Sequence, residues 1–307
     1  MDGNLFTRLR KGATAALAAA GALFATACAT IADPVAAQRV EGPALWKVAD
    51  RDTTIYLFGT VHALPKDVPW MRGAIGPALE RADTFVSEVD LTNADPSALA
   101  RVVAEKAILP EGETLRGLLD PDQRAAYEAA LAKLGLQAAA FDRYEPWFAT
   151  LQLVVQSLSK GGVLKDNGVE TTLSAQVGNG KAREALETAE FQLSIFDELP
   201  QDAQIDYLMK VVEGNADIRA ALDAMLAEWM AGDAEGLAKL LNEDFESDKA
   251  LLEKLLYQRN RNWAGWIADR LDTPGTVFVA VGAGHLAGKG SVQDALKARG
   301  IRSVRVQ

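Results

Sequence analysis

The sequence contains few of the residues that most often bind metals or transfer protons. It has one cysteine, Cys28, and two histidines, His62 and His285, among 307 residues. A single cysteine excludes an internal disulfide and the cysteine-rich zinc sites. Any chemistry that uses an imidazole near neutral pH must therefore use one or both of these histidines.

Basic residues are also in the minority. Lys and Arg number 32 against 42 Asp and Glu, which gives a formal net charge of −10 and an isoelectric point near 4.9. A broad basic surface for binding nucleic acid is not expected from this balance. The hydrophobic share of 49% and the charged share of 24% are instead typical of a globular protein with a sizeable core.

The first forty residues have the pattern of a secretory signal peptide. Three basic residues between positions 8 and 11 precede a run of small apolar residues from Ala13 to Ala27. This run is too short and too rich in alanine for a membrane span, which needs about 20 strongly apolar residues. We therefore expect residues 1–37 to be a signal peptide and residues 38–307 to be the mature domain, with no transmembrane segment after cleavage.

Two cleavage sites compete in this segment. Cleavage after Ala37 would release a cysteine-free protein into the periplasm or the medium, whereas lipoprotein-type cleavage would leave Cys28 as an acylated N-terminus. The segment Ala25–Cys28 lacks the branched residue that usually stands three places before a lipidated cysteine. The sequence therefore favours soluble export, and a lipid anchor at Cys28 is the alternative.

Short apolar runs separated by helical patterns indicate an α/β fold. The predicted strands are residues 44–49, 54–58, 84–89, 183–186, 276–281 and 302–306. The predicted helices are residues 122–134, 145–159, 201–213, 217–231, 234–241, 247–271 and 289–299. Because strands enclose a helical middle and no Pro/Ser/Gly-rich linker interrupts the chain, we expect one domain. It would have a central, mostly buried sheet and a large helical insertion.

One motif occurs twice. Residues 54–62 and residues 276–285 each form an apolar strand followed by Gly-x-x-His, and these two copies contain both histidines of the chain. A glycine turn after a buried strand places the side chain three residues later in the crevice beyond the sheet, where open α/β folds bind ligands. We expect the imidazoles of His62 and His285 to lie within about 5 to 8 Å of each other, which allows a shared metal or water. The alternative is two core histidines, each bonded to a backbone carbonyl.

Carboxylates follow other strands in the same way. Glu88 and Glu187 each stand at the end of a predicted strand. Two histidines with one or two carboxylates suit a divalent transition metal that keeps open positions for water. Without a metal, Glu88 would orient His62 as a base that takes a proton from water. Arg259 is a candidate for stabilising an anionic transition state, although a basic, Asn-rich stretch of helix is more often solvated.

These residues, taken in order, closely resemble the TraB/GumN family from about residue 43 to the end of the chain. The positions that carry the resemblance are Trp46, residues 56–62, Trp70, Glu88, Pro146-Trp147, Gly168-Val169-Glu170, Leu186-Glu187-Thr188, Gln192, Gly232-Asp233, Arg259-Asn260, Trp263 and residues 281–288. The family is similar to the Tiki metalloproteases, in a wider group with erythromycin esterase-like hydrolases and haem-binding ChaN-like proteins.

The resemblance implies an α/β fold built from two pseudo-symmetric halves. It also implies a site formed by five residues, which are His62, Glu88, Glu187, Arg259 and His285. One departure from the family pattern is Glu170, where Asp is expected after Gly-Val. The carboxylate is kept on a longer side chain, so its contact with the site is an open question.

Three functions are compatible with the resemblance. The first is a metal-dependent, peptidase-like hydrolase in which Mn, Co or Zn is bound by His62, Glu88 and His285. The second is a metal-free, esterase-like hydrolase with His62 as the base. Both imply a peptide or small-molecule substrate. The third is a non-catalytic binding or accessory protein of the cell envelope, linked to polysaccharide production.

Mass spectrometry of the exported protein tests the expected processing. Cleavage after Ala37 predicts an N-terminus at Gln38, because the small residues before it suit the signal peptidase. A diacylated N-terminal Cys28 would contradict soluble release and establish the lipid anchor.

Overall fold

The computed structural model describes residues 42–307 apart from residues 63, 66, 91–95, 163–167, 179, 215–217 and 243–248. The described residues all fall within one unit, Arg39–Gln307. The signal peptide, the cleavage after Ala37 and the possible lipid anchor at Cys28 lie outside the described residues and stay predictions.

The described residues form a six-stranded sheet with helices around it. The strands are β1 (Leu45–Ala49), β2 (Thr53–Thr60), β3 (Thr84–Val89), β4 (Ala182–Glu187), β5 (Gly275–Gly282) and β6 (Ser303–Arg305). Their order across the sheet is β4-β3-β5-β2-β1-β6, in which the first four are parallel and the last two are antiparallel to their neighbours. The α/β fold is thus confirmed, and each predicted strand is present with its ends within two residues.

The strands of the two Gly-x-x-His motifs are neighbours. Strands β2 and β5 pair in parallel along their whole length, from Thr53 opposite Gly275 to Thr60 opposite Gly282. Strands β3 and β4 run in the same direction on the other side of β5. Because parallel strands end at one edge of a sheet, the segments after these four strands meet at that edge.

Helices fill most of the remaining chain. Their bounds are α1 (Ile75–Arg81), α2 (Pro96–Lys106), α3 (Leu115–Leu118), α4 (Pro121–Leu134), α5 (Pro146–Lys160), α6 (Val169–Val177), α7 (Ala189–Asp197), α8 (Gln201–Gly214), α9 (Ile218–Ala231), α10 (Ala234–Asn242), α11 (Lys249–Leu252), α12 (Gln258–Arg270) and α13 (Val292–Ala298). Strand β4 crosses the helical middle of the chain, so that α2 to α6 precede it and α7 to α12 follow it. None of the helices in the described part of the chain is both long enough and apolar enough to span a membrane.

Helix α4 shows how local sequence determines an element. Asp120 accepts hydrogen bonds from the first backbone N–H groups, and Gln123 completes a capping box by accepting from the N–H of Asp120. Pro121 occupies the first helical turn, where its missing N–H costs nothing. Gly135 ends the helix with a φ of 80°, a conformation that glycine adopts without strain.

Both faces of the sheet are covered by helices. On one face, Ile55 and Val279 pack in a buried cluster with Trp263 of α12. On the other face, Phe58 packs in a second cluster with Trp229 of α9. Burial on both faces explains why the motif strands are continuous apolar runs rather than alternating ones.

The predicted helix over residues 247–271 is interrupted. After α11, residues Glu253–Tyr257 form a π-helical turn, in which the N–H of Gln258 donates to the carbonyl of Glu253, five residues back instead of four. Helix α12 then presents Arg259 and Asn260 to the interior, where they are 7% and 1% exposed. Arg259 and Asn260 are therefore buried, whereas Arg261 and Asn262 of the same stretch are exposed to solvent.

Candidate active site

The second Gly-x-x-His motif places its histidine in the interior. After β5, residues Ala283–Leu286 form a turn of 3₁₀ helix in which His285 is 5% exposed. The Nδ1–H of His285 donates to Asn260 Oδ1 over 2.6 Å, and its Nε2 accepts from Arg259 Nη1 over 3.0 Å. Burial lowers the pKa of His285 to about 3 although the charge of Glu88 opposes this, so the imidazole is neutral at physiological pH.

Asn260 determines which nitrogen of His285 carries the proton. The side-chain amide of Asn260 donates through Nδ2 to the carbonyl of Gly290 over 2.8 Å, which turns its Oδ1 toward the imidazole. An amide oxygen can only accept a hydrogen bond, so Nδ1 of His285 is protonated and Nε2 offers a lone pair.

The first motif leaves its histidine near solvent. The side chain of His62 is 74% exposed, and its Nδ1–H donates to Glu170 Oε1 over 2.7 Å. The hydroxyl of Thr60 donates to the same oxygen over 2.5 Å. The hydrogen bond to Glu170, together with the charge of that carboxylate, raises the pKa of His62 to about 9. His62 is therefore protonated at neutral pH, in contrast to His285.

Glu170 reaches His62 because α6 begins against the first motif. The N–H of Val169, the first residue of α6, donates to the carbonyl of Val61 over 3.1 Å, and Glu170 follows at once. The indole of Trp229 holds the preceding turn by donating to the carbonyl of Gly59 over 2.8 Å. Although its side chain is longer than the expected Asp, Glu170 therefore contacts the site directly through His62.

Arg259 joins the two carboxylates that end β3 and β4. Its Nη2 donates to Glu88 Oε2 and to Glu187 Oε2, each over 2.8 Å, and its Nε donates to Glu187 over 2.9 Å. Gln192 Nε2 donates to both carboxylates over 3.0 Å, and the indole of Trp263 donates to Glu187 over 2.9 Å. The cluster is buried, since no charged side chain in it is more than 14% exposed.

Every N–H group of Arg259 is donated within the protein. Besides the carboxylate contacts, Nη1 donates to the carbonyl of Leu255 and to Nε2 of His285, each over 3.0 Å. A guanidinium has five N–H groups, so none is left for a substrate oxygen in this conformation. The contacts of Arg259 hold Glu88, Glu187 and His285 in place, and its expected role in stabilising an anionic transition state stays a prediction.

Glu88 lies beside His285. Its Oε1 accepts the N–H of Gly282 over 2.6 Å and lies 3.8 Å from His285 Nε2. Burial by itself would raise the pKa of Glu88, but His285, the Arg259 guanidinium and the Gly282 amide outweigh it and lower the pKa to about 2. Glu88 is therefore ionised throughout the physiological range.

Because Gly282 has no side chain, a small space remains beside it that Glu88, His285 and His62 border. A Cβ at this position would lie 3.1 Å from Glu88 Oε1, 3.6 Å from His285 Cδ2 and 3.8 Å from His62 Nε2. The two ring atoms therefore lie within the upper limit of about 8 Å that the sequence predicts, and the expected proximity of the histidines is confirmed. Arg259 supports Glu88 and His285, which border this space, and Glu187 bonds to Arg259 in turn.

The proposed metal ligands do not fit a metal ion in this conformation. His62, Glu88 and His285 face one space, but Nε2 of His285 and Oε2 of Glu88 already accept hydrogen bonds from Arg259. A metal shared by all three residues would have to displace that guanidinium. Among the described residues, no group of three or more His, Cys, Asp or Glu side chains is arranged to hold a metal ion.

The two histidines are expected to titrate very differently, which proton NMR can measure because no other imidazole is present. The ring resonances of His62 should shift with a midpoint near pH 9, and those of His285 should stay constant above about pH 5. Glu170→Gln removes the hydrogen-bonded charge that raises the pKa of His62, so its midpoint should fall toward 6.5.

His62→Ala is the control, because it should remove the resonances that titrate and leave those of His285 unchanged. A midpoint near pH 6.5 in the unaltered protein would show that Glu170 does not hold the proton on His62.

Comparison with known proteins places this site in a family. The sequence model of the TraB/PrgY/gumN family matches residues 44–305. The uncharacterized protein YbaP of Escherichia coli K12 and that of Shigella flexneri are each 25% identical over 245 residues, which cover 79% of this chain and 87% of theirs. An uncharacterized protein of Treponema pallidum is 20% identical over 268 residues, 83% of this chain and 80% of its own. No solved structure matches. With the family match extending over both Gly-x-x-His motifs and every residue of the site, the chain belongs to the TraB/PrgY/gumN family.

Proposed function

We propose that this chain is an exported hydrolase of a peptide or another acyl bond, in which His62 transfers the proton and no metal is needed. The observation that carries this proposal is the space beside Gly282, which is bordered by Nε2 of His62 and Oε1 of Glu88. A water molecule in this space would contact a carboxylate on one side and an imidazole on the other.

Glu170 supports His62 as the group that moves the proton. A base must be held in one orientation and one tautomer, and Glu170 does this by accepting the Nδ1–H of His62. The nitrogen Nε2 is then directed toward the space beside Gly282. The sequence suggested Glu88 for this orienting role; we propose that Glu170 has it and that Glu88 accepts a hydrogen bond from the attacking water.

The metal-dependent alternative is supported less well by the geometry. It requires His285 and Glu88 to release Arg259 before they bind a metal, and both hydrogen bonds are buried. The chemistry proposed here uses His285 as a neutral side chain that holds Arg259 and needs no such rearrangement.

The pH profile of hydrolysis tests the role of His62. A neutral imidazole is required for a base, so kcat/KM should rise with pH toward about 9, where His62 loses its proton. In Glu170→Gln the rising limb should move toward pH 6.5, because the pKa of His62 falls. His62→Ala should lose about 10²- to 10⁴-fold in rate.

These rates would be measured on a panel of nitrophenyl esters and fluorogenic peptides. A rate that falls as pH rises through 9 would assign His62 as an acid instead. Full activity in His62→Ala would overturn the proposed mechanism, and no hydrolysis across the panel with ligand binding retained would favour a non-catalytic envelope protein.

The two motif glycines provide a matched pair of variants. Gly282→Ala places a methyl group 3.1 Å from Glu88 Oε1 and fills the proposed water space, so kcat/KM should fall by about 10²-fold or more with little change in stability. Gly59→Ala would instead meet the backbone of Ala283, whose Cα lies 3.0 Å from the new carbon. This overpacking should lower the free energy of unfolding by about 1 to 3 kcal/mol.

Urea denaturation and the same substrate panel separate the two effects. Full activity in Gly282→Ala would show that the reaction does not occur in the space beside this residue.

A further inference from the structure

The acceptors around Arg259 are the kinds of atoms that bind divalent transition metals. They are the carboxylate oxygens of Glu88 and Glu187 and the neutral Nε2 of His285, all within 3.1 Å of a guanidinium nitrogen. Oxygen and imidazole donors of this kind suit Mn, Co and Zn. The position that such an ion would take is filled by the side chain of Arg259.

The two carboxylates are also held as a pair. One oxygen of Glu88 and one of Glu187 share two donors, since both lie 2.8 Å from Arg259 Nη2 and 3.0 Å from Gln192 Nε2. Their two negative charges in a buried cluster need a cation nearby, because uncompensated buried charge is strongly destabilising. Arg259 supplies one positive charge, and its pKa is raised by its hydrogen bonds and charge contacts with Glu187 and Glu88, against the opposing effect of burial.

We propose that Arg259 is a built-in cation that takes the place of a metal ion and keeps divalent metals out of this site. The guanidinium neutralises Glu88 and Glu187 and occupies the lone pair of His285 that a metal would use. The inference rests on the proposed metal-free function, but its test measures metal binding and not activity. In its unaltered form the protein therefore keeps these three side chains bonded to a guanidinium instead of a metal.

Removing the guanidinium should open the site to metal. Arg259→Ala leaves two carboxylates and a neutral imidazole without their shared partner, so it should bind one Zn²⁺, Mn²⁺ or Co²⁺ per chain. The affinity should exceed that of the unaltered protein by about 10²- to 10³-fold, because the metal would replace a lost buried counter-charge. Calorimetric titration, elemental analysis after desalting and the visible absorption of bound Co²⁺ measure this.

Three further variants define the site. Arg259→Ala combined with His285→Ala should lose the gained metal, and Arg259→Lys should keep metals out because it keeps the positive charge. Arg116→Ala is the matched control: Arg116 also bonds two carboxylates, Asp142 and Glu128, but no imidazole is part of that cluster. It should gain no comparable affinity.

Two results would overturn the inference. One is metal retained by the unaltered protein and lost in His285→Ala; the other is no gain of metal in Arg259→Ala. If Arg259→Ala is unfolded when free of metal, recovery of its fold on adding Zn²⁺ or Co²⁺ supports the inference, and failure to recover counts against it. A protein that excludes metal, gains it in Arg259→Ala and hydrolyses nothing would refute the proposed function alone.

Discussion

The ion cluster of Arg259 with Glu88 and Glu187 is the constraint on which the site depends. It connects three elements that are far apart in sequence, since β3, β4 and α12 each contribute one charged residue. Removal of one partner from such a cluster would leave a buried charge unpaired, at a cost of about 3 to 5 kcal/mol. The two histidines beside it are in different states. His285 is buried beside a permanent cation and stays neutral, whereas the carboxylate of Glu170 keeps His62 protonated up to about pH 9.

Much of the fold and part of the site could be predicted because their signals are local. Apolar runs identify the strands, and the residues just after parallel strands must share one edge, which brings Glu88 near His62 and His285. The contact of Glu170 could not be predicted from spacing, because it depends on α6 beginning against the carbonyl of Val61, 108 residues away in sequence. The family motif named this position, but the docking of the helix decides whether its side chain reaches the site.

The two Gly-x-x-His motifs are alike in sequence and different in structure. Gly59 lies opposite Val281 in the sheet, one position before the pair formed by Thr60 and Gly282. Gly59 allows close backbone approach to Ala283, whereas Gly282 faces the side chains of the site. A repeated motif therefore gives one exposed histidine that holds its proton and one buried histidine that cannot gain a second. Sequence similarity between the copies does not indicate this division of roles.

The π-helical turn before α12 has a consequence for helical phase. Leu251 and Leu252 are buried, and they stand eight residues before Arg259 and Asn260, which are buried as well. Eight residues of regular α-helix rotate through about 800°, which would place the two pairs about 80° apart around the axis. The extra residue in the turn removes about 100° of rotation, so both pairs face the same side to within about 20°. A single stripe of buried side chains thus continues through two helices, and it is narrower than the same spacing would give in one regular α-helix.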